Sequence, residues 1–246
     1  MDDCVDRDRL TRLLTVDTQD DWERVLAAAA HLQRIVPDAV LVGGSAAALY
    51  VEHRFSRDDD HVVVDLKSRF DDVLRKLENV AAWRTARTRR PVLILGQLDG
   101  VDTGVRNLIR TAPLDVDRLE TPYGSIVLPT IEEMLRIKSW LVVTRNATRD
   151  YIDAAALSDR VERTRGASAV DEALLAVDSL YPQDNGSSVT LQIARQFAEP
   201  KPFDYDDGRG LNVYRIRADA WRTWDAVCAR LGVVAAALLA AYARRS

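Results

Sequence analysis

The spacing of apolar residues changes once along this chain, near Thr130, and that change limits the folds open to it. Ahead of it, AVLVGG (39–44), DDDHVVVDL (58–66), PVLIL (91–95) and SIVLP (125–129) read as short buried strands, with weaker ones near VRNLI and APLDV. Between them, DWERVLAAAAHLQRIV (21–36) and the stretch from about Arg69 to Val80 carry helical spacing. Beyond Thr130, IEEMLRIKSWLVV, TRDYIDAAALSDRV, VDEALLAVDSL and ADAWRTWDAVCARLGVVAAALLAAYA all keep the helical period, and no strand intervenes. The polar stretches YPQDNGSS and EPKPFDYDDGRG read as loops between these helices. The expected architecture is α+β: a mixed sheet flanked by helices in residues 1–129, then an all-helical region in 130–246.

A chain of 246 residues with 47% apolar content can bury a core without disulfides or a structural metal. Cys4 and Cys228 form no framework and show no zinc-ligand spacing, which points to a reducing compartment. The start, MDDCVDRDRLTRLLTVD, has acids where a secretory signal has basic residues, so a cytoplasmic location is expected. The apolar run Leu231–Tyr242 is 12 residues long, short of the roughly 20 that cross a bilayer, and is expected to be a buried helix with no membrane partner. A net charge of -4 excludes a generally basic nucleic-acid coat, while leaving room for a local patch. Thirty arginines stand against four lysines, which reflects genome composition and makes Lys138, inside a motif, more noticeable.

The most informative segment runs from Leu41 to Leu66. Gly43 and Gly44 let the backbone approach a ligand, and a helix capped by Ser45 would offer unpaired amides and a positive dipole end to a phosphate. Thirteen residues after Ser45, Asp58 and Asp60 sit two apart at the start of a strand, so their side chains share one face and suit magnesium. Asp59 is expected to point away from that site. Further along, Asp150 and Asp153 sit three apart on one helix face, either looking into a cleft or bracing the helices through Arg149 or Arg145.

GGSAAALYVEHRFSRDDDH resembles motif one of the DNA polymerase β nucleotidyltransferase superfamily. Its HRFSRDDD portion is similar to the HRxSxDxD of the AbiEii/AbiGii toxin nucleotidyltransferases, type IV toxins that include the MenT enzymes. IEEMLRIKSWLVVTRNATRDYIDAAAL resembles the second signature of that family, a lysine in one helix followed by an RDxxD pair in the next. The resemblance covers roughly residues 41–157 and implies a polymerase-β-like core whose active site the helical region completes. It also implies nucleotide binding by Gly43, Gly44, Ser45, Ser56, Lys138, Arg149 and Asp150, two magnesium ions on Asp58 and Asp60, and catalytic parts for Asp58, Asp60, Lys138 and Asp153. His53 and Arg54 match the motif without an evident chemical part, a histidine base being unnecessary where metal deprotonates the acceptor. A third carboxylate is common in the superfamily, and Asp65, Asp99, Asp102, Asp115 and Asp117 all stay open as its counterpart; LDVD (114–117) alternates like a strand, whereas LDGVDTG reads as a turn.

The chemistry implied is in-line attack on the α-phosphate of a nucleoside triphosphate (NTP) with release of pyrophosphate. The resemblance implies the 3′ end of tRNA as acceptor, so that aminoacylation and growth stop, and a cognate antitoxin protein as partner. Between Lys67 and Arg90, eight basic residues face three acids, and Arg84, Arg87, Arg89 and Arg90 follow Trp83, a composition suited to an RNA backbone and an unstacked base or simply to a solvated face. Arg106 and Arg110 extend this charge. Three alternatives stay open: transfer to a protein side chain; transfer to an aminoglycoside-like small molecule, for which FDYDDGRG offers acids; and a degenerate NTP-binding module, which would be expected to lose a metal carboxylate. Trp221 and Trp224 are expected on a core-facing stripe.

Overall fold

Helix α1 (Gln19–Ile35) leads into strand β1 (Val40–Val42), and the chain turns directly from β1 into helix α2 (Gly43–Val51). The computed structural model describes residues 19–245, so Cys4 and the acidic start lie outside the described residues. Strand β2 (Asp59–Val63), helix α3 (Leu66–Glu78), and strands β3 (Trp83–Arg89), β4 (Leu93–Leu98) and β5 (Val101–Asn107) follow. They build a five-stranded sheet in the order β1-β2-β5-β4-β3. Strand β2 runs parallel to β5 and antiparallel to β1, and the β5-β4-β3 side is antiparallel throughout. A separate hairpin pairs β6 (Val116–Thr121) with β7 (Gly124–Pro129).

One face of the large sheet carries the core. Leu32 and Val36 from the α1 end and Phe70, Val73 and Leu77 from α3 cluster with Val63, Trp83, Ile94, Leu98 and Val105 of the strands. The apolar positions of α3 recur at three- and four-residue steps, which is the spacing that puts one stripe of a helix against a sheet. The opposite face is more open: Leu93, Leu95 and Arg106 are half-buried, and Arg84, Arg87, Arg89, Gln97 and Asp102 are exposed.

From Ile131 the chain is helical: α4 (Ile131–Arg145), α5 (Thr148–Arg165), α6 (Ala167–Leu175), α7 (Val177–Leu180), α8 (Val189–Ala198) and α9 (Trp224–Ala243). The chain divides into two units, one holding the described residues up to Leu49 with Ser56–Thr130, the other Tyr50–Phe55 with the chain from Ile131 onward. Within the second unit α5 is central, every residue from Asp150 to Ser158 being buried. The segment Tyr50–Phe55 is tied to it by backbone bonds, Phe55 N–H to the Arg215 carbonyl (3.3 Å) and Arg217 N–H to the His53 carbonyl (2.8 Å).

Several sequence expectations change. WRTARTR forms a strand although it lacks apolar alternation, because pairing with β4 supplies the stabilisation. VDTG belongs to strand β5, with only Asp99 and Gly100 left in the turn, and α8 occupies a stretch whose Val and Thr weaken the helical signal. The C-terminal helix is longer than the apolar run and is buried on one side only, through Val227, Leu231, Val234, Leu238 and Ala241, with Val233 and Leu239 exposed. It is one helix long and apolar enough to cross a membrane, and a third of its most apolar window is buried. Trp221 lies in a short 3-10 turn ahead of that helix, while Trp224 stacks on Tyr205 and meets Tyr151 edge-on.

Candidate active site

In the first unit the site is built where α2 starts beside β2. Gly43 takes φ +79°, a left-handed conformation open to glycine, and a Cβ there would sit 3.4 Å from Cβ of Asp60. The Ser45 hydroxyl does not cap the helix as expected. It donates to the Asp58 carbonyl at 2.6 Å and so pins the backbone entering β2 to the start of α2.

Asp60 projects onto the open face of the sheet, with its side chain one-third exposed (33%). Its neighbour across the parallel pair is Gly104, where a Cβ would lie 2.6 Å from Oδ1 of Asp60, so a larger residue would displace the carboxylate. Arg106, two residues further along β5, brings Nε to 3.5 Å from the same oxygen. The requirement for Gly104 follows from strand register, and no local signal announces it. Asp58 precedes the strand and is exposed.

Asp59 points to the core face, as the two-residue period requires, and is fully buried together with His61, whose Nδ1 lies 3.3 Å from Asp59 Oδ1. Burial pushes the Asp59 carboxyl well above the usual carboxylate range, aided by the charge of Asp60 and opposed by Thr103. Burial also pushes the His61 imidazole down to about 3. Burial thus works against the charged form of both groups inside the sheet.

Among the described residues, no three His, Cys, Asp or Glu side chains gather closely enough to cage a metal by themselves. Magnesium commonly uses one or two carboxylates with water and substrate phosphates, and Asp58 with Asp60 beside the glycine cradle fits that pattern. Of the five open acids, Asp102 stands on the sheet face of Asp60, accepting from Gln97 at 2.9 Å. Asp65 is bonded to Arg69 and Asp99 to His31, Asp117 sits in the separate hairpin, and the Asp115 carbonyl accepts from Thr130.

The second unit gathers the other signature into a buried polar network. Asp153 accepts from His53 Nε2 at 2.5 Å and from Arg54 at 2.6 and 2.9 Å, and Lys138 Nζ lies 2.7 Å from its second oxygen. Lys138 also reaches Asp150 at 3.3 Å. All five residues are buried. The acids are thus held by Lys138, Arg54 and His53 rather than by Arg145 or Arg149, because they face into the unit while Arg149 is exposed at the start of α5. That start is capped from afar: Asp204 accepts from the Thr148 amide and hydroxyl, both at 2.7 Å. Ser56 is half-buried on the link towards β2.

Burial alone would raise the Asp153 carboxyl, but Arg54 and Lys138 outweigh it and hold it well below the usual carboxylate range. Burial lowers the His53 imidazole below its ordinary 6.5, only partly offset by Asp153. A histidine kept neutral in the fold stabilises it above pH 6.5, and that contribution is lost as pH falls. His61, pushed down to about 3, adds a loss of the same sign, and the raised Asp59 carboxyl opposes it. Thermal melts between about pH 6.5 and 4.5 should therefore fall on acidification, and His53→Gln should make that slope shallower. A midpoint that rises on acidification, or an unchanged slope in the variant, would contradict this.

The expected basic run separates into two groups. Arg84, Arg87 and Arg89 are exposed on β3, whereas Arg90 is engaged by Asp71 and lies over the Phe70 ring at 4.9 Å. Trp83, expected to receive a base, is buried on the core face with its N–H bonded to Thr85 at 2.8 Å. Arg110 is also buried, donating to the carbonyls of Ala112 and Pro113.

No protein-family profile matches the chain. A candidate nucleotidyltransferase from Helicobacter pylori superposes with a TM-score of 0.50 at 16% identity, over 95% of this chain and 99% of its own. The chain has a nucleotidyltransferase-like fold. JHP933 of H. pylori is also similar, with TM-score 0.48, 16% identity and coverage of 94% of this chain and 96% of its own. In sequence, the chain is 30% identical over 166 residues to the mycolic acid-containing lipids exporter MmpL11 of Mycolicibacterium smegmatis, covering 66% of this chain and 16% of that protein. It is 28% identical over 247 residues to the heme uptake protein MmpL11 of Mycobacterium tuberculosis, covering 89% of this chain and 23% of that protein. The chain thus spans less than a quarter of the length of these curated relatives.

Proposed function

We propose that this protein is a nucleotidyltransferase that moves a nucleoside monophosphate from an NTP to the 3′ end of tRNA, acting as a toxin restrained by a cognate antitoxin. The observation that carries the reading is the seat of Asp60: a carboxylate between two glycines, Gly43 at a helix start and Gly104 on the neighbouring strand, with Arg106 beside it. The amides at the start of α2 would hold phosphates, with Gly43 and Gly44 allowing close approach. Asp58 and Asp60 would hold magnesium, two ions by the resemblance, which when bound offsets charge on the phosphates. The acceptor oxygen forms a bond to the α-phosphorus, the bond from that phosphorus to the bridging oxygen of the β-phosphate breaks, and pyrophosphate leaves with the electron pair. The hydroxyl proton passes to solvent.

Lys138, Asp150 and Asp153 are buried and bonded to one another or to the 53–54 segment, so the part we assign them is positioning. They hold His53 and Arg54, from which the chain continues through Ser56 to Asp58. Arg149, with an exposed side chain, keeps the nucleotide-binding part that the resemblance implies.

The test is incubation with each α-labelled NTP, magnesium and total tRNA. Label in tRNA, removed by ribonuclease, is the expected result. Label appearing only in protein or in an aminoglycoside overturns the acceptor and keeps the chemistry, and no labelled product with any acceptor overturns both.

A further inference from the structure

The strand register places the three free arginines of β3 on the same face as Asp60. Asp60 stands beside Gly104, Gly104 beside Leu95, and Leu95 beside Arg87. One row along, Val62, Arg106, Leu93 and Arg89 follow in the same order. On the other side, Asp102 stands beside Gln97 and Gln97 beside Arg84. Residues paired across a sheet share a face, so these rows form one continuous surface, opposite the apolar core.

The alignment depends on an irregularity. In a regular strand Arg84 would share its face with Ala86 and Thr88, and Arg87 and Arg89 would point into the core side. The register shift between Thr85 and Arg87 inserts one extra residue, and the alternation resumes with Arg87 and Arg89 turned to the side of Arg84. A bulge that re-aims side chains in this way brings three guanidinium groups to one edge. None of the three has an ion-pair partner among the described residues, in contrast to Arg90, which is held by Asp71.

The edge lies three strands from Asp60, about 14 Å at ordinary strand spacing. The ground between is uncharged apart from Arg106 and Asp102, with Leu93 and Leu95 half-buried. No aromatic side chain lies in these rows for a base to stack on, since Trp83 faces the core. Such a surface can hold a chain of phosphates and offers a base no aromatic ring to stack on.

We propose that this face is a track for the phosphodiester backbone of the acceptor strand, held at the β3 edge by Arg84, Arg87 and Arg89 with its terminal hydroxyl towards Asp60. The proposal rests on the transferase reading for the placement of the hydroxyl, and not for the binding itself. It requires that the strand be gripped without regard to sequence along this path, so any choice among acceptors is made elsewhere.

The experiment measures binding of a labelled single-stranded RNA oligonucleotide to the full chain by fluorescence anisotropy, without NTP, over a series of salt concentrations. Replacing all three arginines with glutamine should weaken binding and make the slope of log Kd against log salt shallower by about 2, since each phosphate contact on a single strand contributes about 0.7. Arg75→Gln with Lys76→Gln, two exposed residues on α3 on the other side of the sheet, should leave the slope unchanged. DNA of the same sequence should bind with the same slope as RNA. An unchanged slope in the triple variant, an equal loss in the α3 variant, or binding of RNA alone would overturn the track. Because no transfer is measured, loss of the tRNA acceptor in the labelling assay leaves this result intact, and the reverse also holds.

Discussion

Asp60→Ala is expected to lower nucleotide transfer by about a thousandfold while leaving the fold in place. The carboxylate is one-third exposed on the open sheet face, and its nearest cationic neighbour is Arg106 at 3.5 Å, itself partly exposed. Losing a contact of that kind changes stability by no more than about 0.5 kcal/mol. The chemistry has no comparable reserve. Gly43 and Gly104 leave space around this one side chain, Asp102 on the same sheet face is engaged by Gln97 at 2.9 Å, and the described residues gather no three-ligand cluster. Initial rates with α-labelled NTP, alongside melting of both proteins, check the prediction. Transfer retained within tenfold of the parent would remove Asp60 from the reaction, and a lowered melting midpoint would mean that the loss reports unfolding.

What could be read from the sequence was local. The Gly43–Gly44 turn, the Asp58/Asp60 pair and the helical periods of α1, α4 and α5 lie within single windows, where side-chain spacing and backbone preference speak directly. What could not be read depends on pairing across distance. Strand β3 is a row of Arg and Thr that becomes a strand only against β4, and no propensity marks its bulge. The same holds for Gly104, required by a register that links residues 44 positions apart, and for Asp59, whose burial follows from what packs on the far side of β2. His53 and Arg54 were visible in the motif, but their partner lies about a hundred residues away in α5, so their part emerged only from the contact itself.

That contact supports the second large effect, the loss of stability expected from Asp153→Asn. The Asp153 carboxylate meets Arg54, Lys138 and His53 together, at 2.5 to 2.9 Å and without solvent access. The amide keeps the shape and removes the charge that both buried cations meet, while Asp150 keeps its 3.3 Å contact to Lys138. Breaking one side of a buried charge network costs about 3–5 kcal/mol, which lowers a melting midpoint by on the order of 10 °C in a domain of this size. Lys138→Met should cost less, because Arg54 still neutralises Asp153 through two bonds. The sign with pH separates the two causes of loss. A carboxyl held well below its ordinary value stabilises the fold above about pH 4, and that contribution disappears as pH falls through the lowered value. Asp153→Asn should therefore be destabilised most near neutrality and converge on the parent in strong acid, as read by melts from pH 7 downward. A constant difference at every pH would assign the loss to packing, and no difference at neutrality would mean that the network does not hold the 53–54 segment in place.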